Sequence, residues 1–397
     1  MTPTLLYAAR GVRGFGDGFA IIILPAYLSA IGFDAVWVGL VATASLLGSA
    51  ALTLAVGFLG ARHDLRALLL VGALIMTATG ITFPQFEHIA FVLLVAFIGT
   101  INPSTGDIGM LVPLEHAMLA RVVPDQERTR AFARYSLVGA LATAAGSLAA
   151  AVPDFLVAAG VSAIGAFKAM FYLYAALGLA GALLYGRLPH VDTKDVRANA
   201  SALGPSRGIV YRLAALFSLD AFAGGFIVQS LLALWLFQRF DLSLAAASLF
   251  FFWSSVLSAF SYPVAAWLAR HIGLVNTMVF THIPSSICLI LAAFSPSLGI
   301  ALALLLIRSA LSQMDVPTRT SYVMAVVTPP ERTAAASVTA VPRSLASSVS
   351  PALAGVMLTT AFSGLPLVVC GGLKIAYDLA LLWSFRHIRP PEESRRR

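Results

Sequence analysis

Apolar stretches recur along the whole of this 397-residue chain and constrain its fold more than any other feature. Each is roughly 18 residues or longer, enough to cross a hydrocarbon core of about 30 Å as an α-helix. Barrel-type segments of about ten alternating residues are not seen. The sequence therefore predicts an all-α membrane protein with about twelve crossings. The predicted spans are residues 5–31, 35–58, 67–84, 89–120, 134–158, 163–186, 209–238, 243–269, 275–294, 297–327, 333–361 and 364–386.

The composition agrees with a chain that spans a lipid bilayer. Hydrophobic residues make up 59% of it and charged residues 11%, whereas soluble domains carry about 25% charged residues. The two cysteines, Cys288 and Cys370, both fall inside predicted spans. Neither a disulfide framework nor a metal cluster is expected from them, and no cofactor is predicted.

The second half of the chain repeats the first. The stretch from Val112 to Thr129 returns from Val316 to Thr333, 204 positions later. Two shorter echoes keep the same order, DGFA at 17–20 with DAFA at 220–223, and ARH at 61–63 with ARH at 269–271. Such a duplication is typical of transporters built from two repeats around a central site. We predict an N-terminal six-helix bundle over 1–187, a cytoplasmic linker over 188–208, a C-terminal six-helix bundle over 209–388 and a basic tail over 389–397.

The arginines indicate an orientation. The even-numbered connections and the C-terminal tail carry most of them, while the odd-numbered connections hold little beyond Lys168 and Arg239. Positive residues stay on the cytoplasmic side, so both termini and the even-numbered connections are expected there. The net charge of +8 is then a topology signal with some attraction to lipid headgroups, and it needs no nucleic-acid partner. We expect a monomer in the inner membrane of a prokaryote.

Two six-helix halves joined by a cytoplasmic linker resemble the major facilitator superfamily over the whole chain. The family signature G-x-L-A-D-R-x-G-R-R, in the loop after the second helix, is matched at Gly57, Leu59, Arg62 and Arg66. Ala61 stands at its acidic position, and that acidic residue helps to lock the cytoplasmic gate in the family. The resemblance therefore implies Arg62 as a gate residue, with Asp64 as the candidate replacement for the missing acid.

Two further loops resemble the P-x-x-E-R stretches of drug-exporting members. They place Glu127 and Arg128 after the fourth predicted helix, and Glu331 and Arg332 after the tenth. One interpretation is a plain helix cap, since a carboxylate is favourable at a helix N-terminus. The other, which the resemblance implies, is a lock on the inward gate.

The fifth and eleventh predicted helices carry small residues where exporters of the family have the signature G-x-x-x-G-P-x-x-G-G. Gly146 is the one glycine of it in the fifth helix, and Gly355 lies in the corresponding stretch of the eleventh. Small residues at this spacing also allow close packing of two helix backbones. Packing is the simpler interpretation, and the pattern favours export only slightly.

Charges inside predicted spans are more informative, because each costs about 2.5–3.5 kcal/mol on the insertion scale and tends to mark function. Most of them lie on the first, fourth, seventh and tenth helices, which line the central cavity in the family. The candidates for lining a substrate cavity are Arg13, Asn102, Phe222, Gln229, Arg308 and Asp315. Acidic groups among them suit a cationic solute, and arginines suit an anionic one.

Three carboxyl groups are candidates for proton coupling. Asp107 and Asp220 have no basic residue within two turns of their own helices. A carboxyl group in a low dielectric without a nearby cation can load and release a proton near neutral pH. Asp17 is the third candidate, although Arg13 lies four residues before it and the two could instead form a structural ion pair. A plain hydrogen-bonded acid is the alternative for Asp107 and Asp220.

The remaining charges fit more than one role. Glu115 and Arg319 are repeat mates near the cytoplasmic ends of their helices, so they are gate candidates that form a salt bridge between repeats or contact solute. Asp315, between two arginines, is expected to be ionised and to neutralise them. Lys374 and Asp378, four residues apart in the last helix, are expected to form a structural pair.

These features together predict a secondary active transporter that moves a small organic solute by alternating access, with one half rocking against the other. No G-x-x-x-x-G-K-[ST] motif occurs, so an ion gradient is the expected energy source. Proton-coupled export is the first hypothesis and proton-coupled uptake of a metabolite or organic anion is the second. An intramembrane enzyme is less favoured, because H-E-x-x-H and G-x-S-x-G are absent from the sequence, and so is a membrane scaffold.

The predicted orientation can be checked by cysteine labelling in a variant in which serine replaces Cys288 and Cys370. A membrane-impermeant maleimide should label Ser162→Cys, in the fifth connection, in intact cells. It should label Ser201→Cys, in the linker, only after the cells are permeabilised, because the linker is expected to be cytoplasmic. The reverse pattern would show that the orientation is wrong.

Overall fold

A computed structural model describes residues 2–59, 63–104, 109–124, 127–189, 204–328 and 331–386 of the chain, which form sixteen α-helices and a 3-10 turn at Phe83–Gln85. The helices are α1 Thr2–Ala30, α2 Ala35–Leu59, α3 Leu65–Thr82, α4 Ile89–Ile98, α5 Leu111–Val122, α6 Arg128–Ala149, α7 Val152–Ala158, α8 Ala163–Tyr185, α9 Arg207–Gly225, α10 Gln229–Phe240, α11 Leu244–Ile272, α12 Leu274–Ala293, α13 Leu298–Ser312, α14 Asp315–Val326, α15 Arg332–Leu358 and α16 Leu365–Phe385.

The expected all-α membrane architecture is confirmed. Among the described residues, ten helical stretches are long and apolar enough to cross a membrane. The fourth predicted span, over 89–120, and the eleventh, over 333–361, are not among them. The eleventh is a continuous helix, α15, whereas in the fourth α4 ends at Ile98 and α5 begins only at Leu111. Pro103 and Gly109, whose φ is +132°, lie in the interval. A left-handed backbone cannot continue an α-helix, and proline removes one helical hydrogen bond, so the fourth span is broken here.

The seventh and tenth predicted spans are also interrupted. In the seventh span, α9 ends at Gly225 and α10 begins at Gln229. In the tenth span, α13 ends at Ser312 and α14 begins at Asp315. Each of these breaks lies in a predicted span that carries at least one of the candidate charges.

The helices belong to two compact units. Unit 1 comprises Met1–Arg197 and Val228–Ser255, and unit 2 comprises Ala198–Ile227 and Val256–Arg397. Each unit has a hydrophobic core of its own, built around residues such as Leu69 and Met118 in unit 1 and Leu213 and Met278 in unit 2. The bundle boundaries that the repeat predicts stay a prediction.

Within unit 1, α1 and α6 approach each other closely because a glycine on each helix faces the backbone of the other. A Cβ atom on Gly18 would meet the backbone of Thr143, and one on Gly146 would meet the backbone of Phe15. In unit 2, a Cβ atom on Gly225 of α9 would meet Ser350 of α15. These contacts support the packing interpretation of the small residues, since backbones this close leave no room for larger side chains.

Gly146→Ala should therefore lower the thermal unfolding temperature of the detergent-purified protein. Inserting a methyl group at a closed contact costs about 1–3 kcal/mol. Gly181→Ala in α8 is the matched control, because a Cβ atom there meets nothing within 4 Å. The packing argument fails if Gly146→Ala unfolds at the wild-type temperature.

Candidate functional site

A polar cavity of about 40 Å³ lies inside unit 1. Arg10, Arg13 and Asp17 of α1 line it, because spacings of three and four residues put them on one helical face. The volume is room for about three water molecules, or for one functional group of a solute. The other polar side chains in its wall are Ser49, Thr100, Asn102, Ser104, Thr143 and Tyr174.

The break between α4 and α5 supplies one wall of this cavity. The side-chain oxygen of Asn102 accepts the N–H of Ser104 at 3.0 Å, and the carbonyl of Pro103 accepts the N–H of Ser230 at 3.0 Å. Irregular backbone at membrane depth is tolerated where protein or a polar cavity satisfies it. The fold thus exposes peptide groups and Asn102 to the cavity instead of a closed helix surface.

Arg13 forms a buried ion pair with Glu115 of α5. Its guanidinium also donates to the hydroxyl of Tyr135 at 3.1 Å. Glu115 is fully buried and accepts two more hydrogen bonds, from Tyr135 at 2.5 Å and from Tyr185 at 2.7 Å. The possible pairing of Arg13 with Asp17 is therefore wrong. The charge of Arg13 is compensated by Glu115, so Arg13 does not form an ion pair with the carboxylate of Asp17.

Asp17 meets a hydroxyl group and not a cation. Its carboxylate accepts a long hydrogen bond from Tyr174 at 3.4 Å, and the same hydroxyl lies 3.1 Å from the hydroxyl of Thr100. In the part of the chain that the structure describes, no lysine or arginine reaches ion-pair distance of Asp17. Asp17 is therefore a cavity acid whose charge is balanced only through space, by Arg10 and Arg13.

Arg10 lines the same cavity, and its guanidinium lies over an aromatic ring. Its guanidinium carbon lies 5.3 Å from the ring centre of Tyr135, a cation–π geometry. A Cβ atom on Gly139 of α6 would collide with this guanidinium. The glycine makes the space in which Arg10 lies.

Asp220 of α9 is not the isolated acid that its own helix suggests. Lys374 of α16 donates to one of its oxygens at 2.6 Å, and Arg319 of α14 donates to the other at 3.0 Å. Arg319 also pairs with Asp315 at 3.1 Å. The sequence argument for Asp220 was wrong because it counted cations along one helix, whereas packing brings them from two others.

The predicted pairing of Lys374 with Asp378 is wrong as well. Lys374 binds Asp220, while a carboxylate oxygen of Asp378 lies 3.0 Å from the Nδ1 atom of His282 of α12. Lys374 also lies 3.3 Å from the Nε2 atom of His282. A cluster of six polar side chains thus joins four helices of unit 2. We call it the unit 2 polar cluster; its members are Asp220, His282, Asp315, Arg319, Lys374 and Asp378.

Three other cavity candidates lie in less charged surroundings. Phe222 packs edge-on against Phe226, with 5.2 Å between ring centres. Gln229 is half-buried at the start of α10. Arg308 is half-buried in α13, and its side chain makes no hydrogen bond or ion pair with the described residues.

The gate candidates divide into buried and surface groups. Glu115 and Arg319 are each paired inside their own unit, as described above. Asp64 caps α3 by accepting the N–H of Arg66 at 3.1 Å. Glu127 is exposed at the start of α6, where its side chain makes no capping bond. All of Arg62 and Asp107 and the side chains of Arg128 and Arg332 fall outside the described residues.

Glu331 differs from its repeat mate Glu127. It is buried, and it accepts hydrogen bonds from the hydroxyl of Thr328 at 2.5 Å and from the N–H of Gly204. Bonds from the hydroxyls of Ser206 and Thr328 and from the N–H of Gly204 lower the pKa of Glu331 to about 2. At neutral pH the group is thus an anion that ties the start of α9 to the loop before α15.

The residues that sequence reasoning missed are His282, Tyr135 and Tyr185. A signal for His282 is its position ten residues after Ile272, deep in an apolar span. The two tyrosines carry no spacing signal, because their partner Glu115 belongs to another helix.

Comparisons with known proteins give one consistent result. A family model described as Major Facilitator Superfamily matches residues 6–237. An uncharacterised membrane protein of Saccharomyces cerevisiae is 24% identical over 96% of this chain and 93% of its own. Among solved structures, the nucleoside transporter NupG has a TM-score of 0.76 at 14% identity, covering 97% of this chain and 99% of that one. The xylose transporter XylE from E. coli has a TM-score of 0.75 at 13% identity, covering 96% and 95%.

Glu115→Gln should destabilise unit 1 by about 3–5 kcal/mol, because it leaves the guanidinium of Arg13 buried without its counter-charge. The double variant Arg13→Met/Glu115→Gln should recover most of that loss, since it removes the stranded charge and keeps a hydrogen-bond partner for each tyrosine: one hydroxyl donates to the amide oxygen and the other accepts from the amide N–H. Thermal unfolding of the purified protein measures both effects. The exposed Glu127→Gln is the control, and equal losses in the single and double variants would contradict the ion-pair argument.

Proposed function

Because this chain belongs to the major facilitator superfamily and is a secondary transporter, not an enzyme, we propose that it exports a small polar organic solute in exchange for protons. Both termini and the even-numbered connections face the cytoplasm in this proposal, and the membrane is the inner membrane of a prokaryote. The protein works as a monomer and needs no cofactor.

The cavity of unit 1 is the proposed contact for the solute. It presents a cation from Arg10, an anion from Asp17 and an amide from Asn102 within one wall. Such a lining suits a solute that carries both donors and acceptors, because each buried polar group needs a partner. Hydroxyl groups of Ser49 and Ser104 add neutral contacts. A purely apolar solute would make no polar contact with this lining and is disfavoured.

The observation that carries proton coupling is the environment of Asp17. Its carboxylate lies in the cavity wall beside a tyrosine hydroxyl, while the nearer arginine is engaged by Glu115. The ionisation of a carboxyl group that forms no ion pair responds most strongly to a charge that comes close to it. Asp220, held between Lys374 and Arg319, is less suited to that role.

The direction of transport rests on the P-x-x-E-R loops that resemble those of exporters. Solute–proton exchange and solute–proton symport make opposite predictions for the pH inside a vesicle. If solute enters in exchange for a proton, the interior becomes more alkaline; if it enters with a proton, the interior becomes more acidic.

The test uses proteoliposomes that contain the pH indicator pyranine. Amino acids, nucleosides, sugars and small carboxylic acids are added outside one class at a time. We expect at least one class to make the interior alkaline, and Asp17→Asn to abolish the pH change while solute–solute exchange continues. Solute movement with no pH change in the wild type would overturn proton coupling, and acidification would show uptake by symport.

Asp241→Asn is the matched control for the loss of a carboxylate. Asp241 is exposed after α10, and its φ of +50° is a conformation that asparagine accepts. It should transport as the wild type does. A parallel loss in both variants would mean that the Asp17→Asn effect is unspecific.

A further inference from the structure

The unit 2 polar cluster holds a histidine in a position that fixes the roles of both ring nitrogens. The Nε2 atom of His282 faces the ammonium of Lys374 at 3.3 Å, and the Nδ1 atom faces the carboxylate of Asp378 at 3.0 Å. An ammonium group only donates hydrogen bonds, so Nε2 must accept. The ring is then neutral, with its one proton on Nδ1, donated to Asp378.

This arrangement leaves one negative charge without a bonded cation. Of the three carboxylates of the cluster, Asp220 binds Lys374 and Arg319, and Asp315 shares Arg319. Asp378 is fully buried, and its hydrogen-bond partner among the described side chains is the neutral ring of His282. A buried charge without a direct counter-charge is costly, and one added proton would balance it.

Charged and titratable groups surround His282 on several helices. From α16 it faces Lys374, Asp378 and Tyr377, whose ring centre is 6.1 Å away. Asp220 of α9 lies 3.9 Å from Nε2. The groups on the remaining neighbouring helices are Arg308 of α13, Asp315 and Arg319 of α14, and Arg343 of α15.

We propose that His282 and Asp378 together bind one proton, and that this proton makes Asp220 exchange Lys374 for His282 as its partner. The proposal rests on proton coupling as the proposed function and names a coupling site in unit 2. The proton is taken up from the aqueous phase, and the side chain of Lys374 at the edge of the cluster is 12% exposed. No bond other than the N–H bond is formed.

The partner exchange follows from the geometry. A proton on Nε2 would point at the ammonium of Lys374, donor against donor and cation against cation. The acceptor next in line is the Asp220 oxygen at 3.9 Å, which Lys374 occupies at 2.6 Å. When Lys374 moves off, the imidazolium donates to Asp220 on one side and to Asp378 on the other. Proton binding thereby alters how α9, α12 and α16 are held together.

The experiment is nitrogen NMR of the whole protein labelled with ¹⁵N-histidine, followed from about pH 8 to about pH 5, where histidine changes charge. His282→Gln identifies the signal by its disappearance. At high pH we expect a ring with its proton on Nδ1 and an unprotonated Nε2. On acidification the same ring should gain a second proton. A ring protonated on Nε2 at high pH, or one that gains no proton, would overturn the proposal.

Two variants separate proton binding from folding. His282→Gln offers an amide that can donate to Asp378 and accept from Lys374 but cannot take up a proton. It should therefore keep the wild-type unfolding temperature. Asp378→Asn removes the unbalanced charge, so the ring of His282 should no longer gain its second proton over this range. A ring that gains it as in the wild type would contradict the pairing.

The proteoliposome assay connects the site to transport. With the same solute classes, His282→Gln should reduce the proton movement to that of protein-free vesicles while solute–solute exchange continues. The exposed His271→Gln at the end of α11 is the control and should leave proton movement unchanged. Wild-type proton movement in His282→Gln would overturn this site and leave the proposed function standing. A wild type that moves solute without protons would instead overturn the proposed coupling, whatever the NMR result.

Discussion

The ion pair between Arg13 and Glu115 is the contact on which the arrangement of unit 1 depends. Glu115 is fully buried and gathers Arg13, Tyr135 and Tyr185 from three different helices. In a bilayer, water cannot replace a lost partner, so each of these groups must be satisfied within the protein. The pair therefore fixes α1 against α5, and it leaves Asp17, one turn further along α1, as the acid that faces the cavity.

Unit 2 makes the corresponding connection with the charges reversed. In unit 1 the first helix supplies the cation and the interrupted fourth helix supplies the acid. In unit 2, α9 supplies the acid, Asp220, and the interrupted tenth helix supplies the cation, Arg319. Glu115 and Arg319 are themselves repeat mates with opposite charge. The duplicated fold has thus kept an ion pair between corresponding helices while its sign has changed, although Asp220 stands at the position of Asp17 and not of Arg13.

The two units differ in how complete that balance is. The cavity acid of unit 1 has cations nearby without a direct bond, whereas unit 2 binds Asp220 to two cations and leaves Asp378 with a neutral imidazole. Buried groups whose charge is not fully compensated are those at which a proton or solute changes the energy most. Each unit therefore holds one carboxylate that is proposed to bind a proton, Asp17 in the cavity of unit 1 and Asp378 in the unit 2 polar cluster.

The sequence by itself determined the solvent, the helical class, the repeat and the helices on which charge lies. These follow from local properties: the length of apolar runs, the positions of proline and glycine, and the spacing of charges along a helix. Only the tertiary structure decided the partners, giving Glu115 to Arg13, Lys374 to Asp220 and His282 to Asp378. A charge buried inside a membrane protein pairs with the nearest opposite charge in space. In each of these three pairs the partner lies on another helix, so the periodicity of the sequence does not predict it.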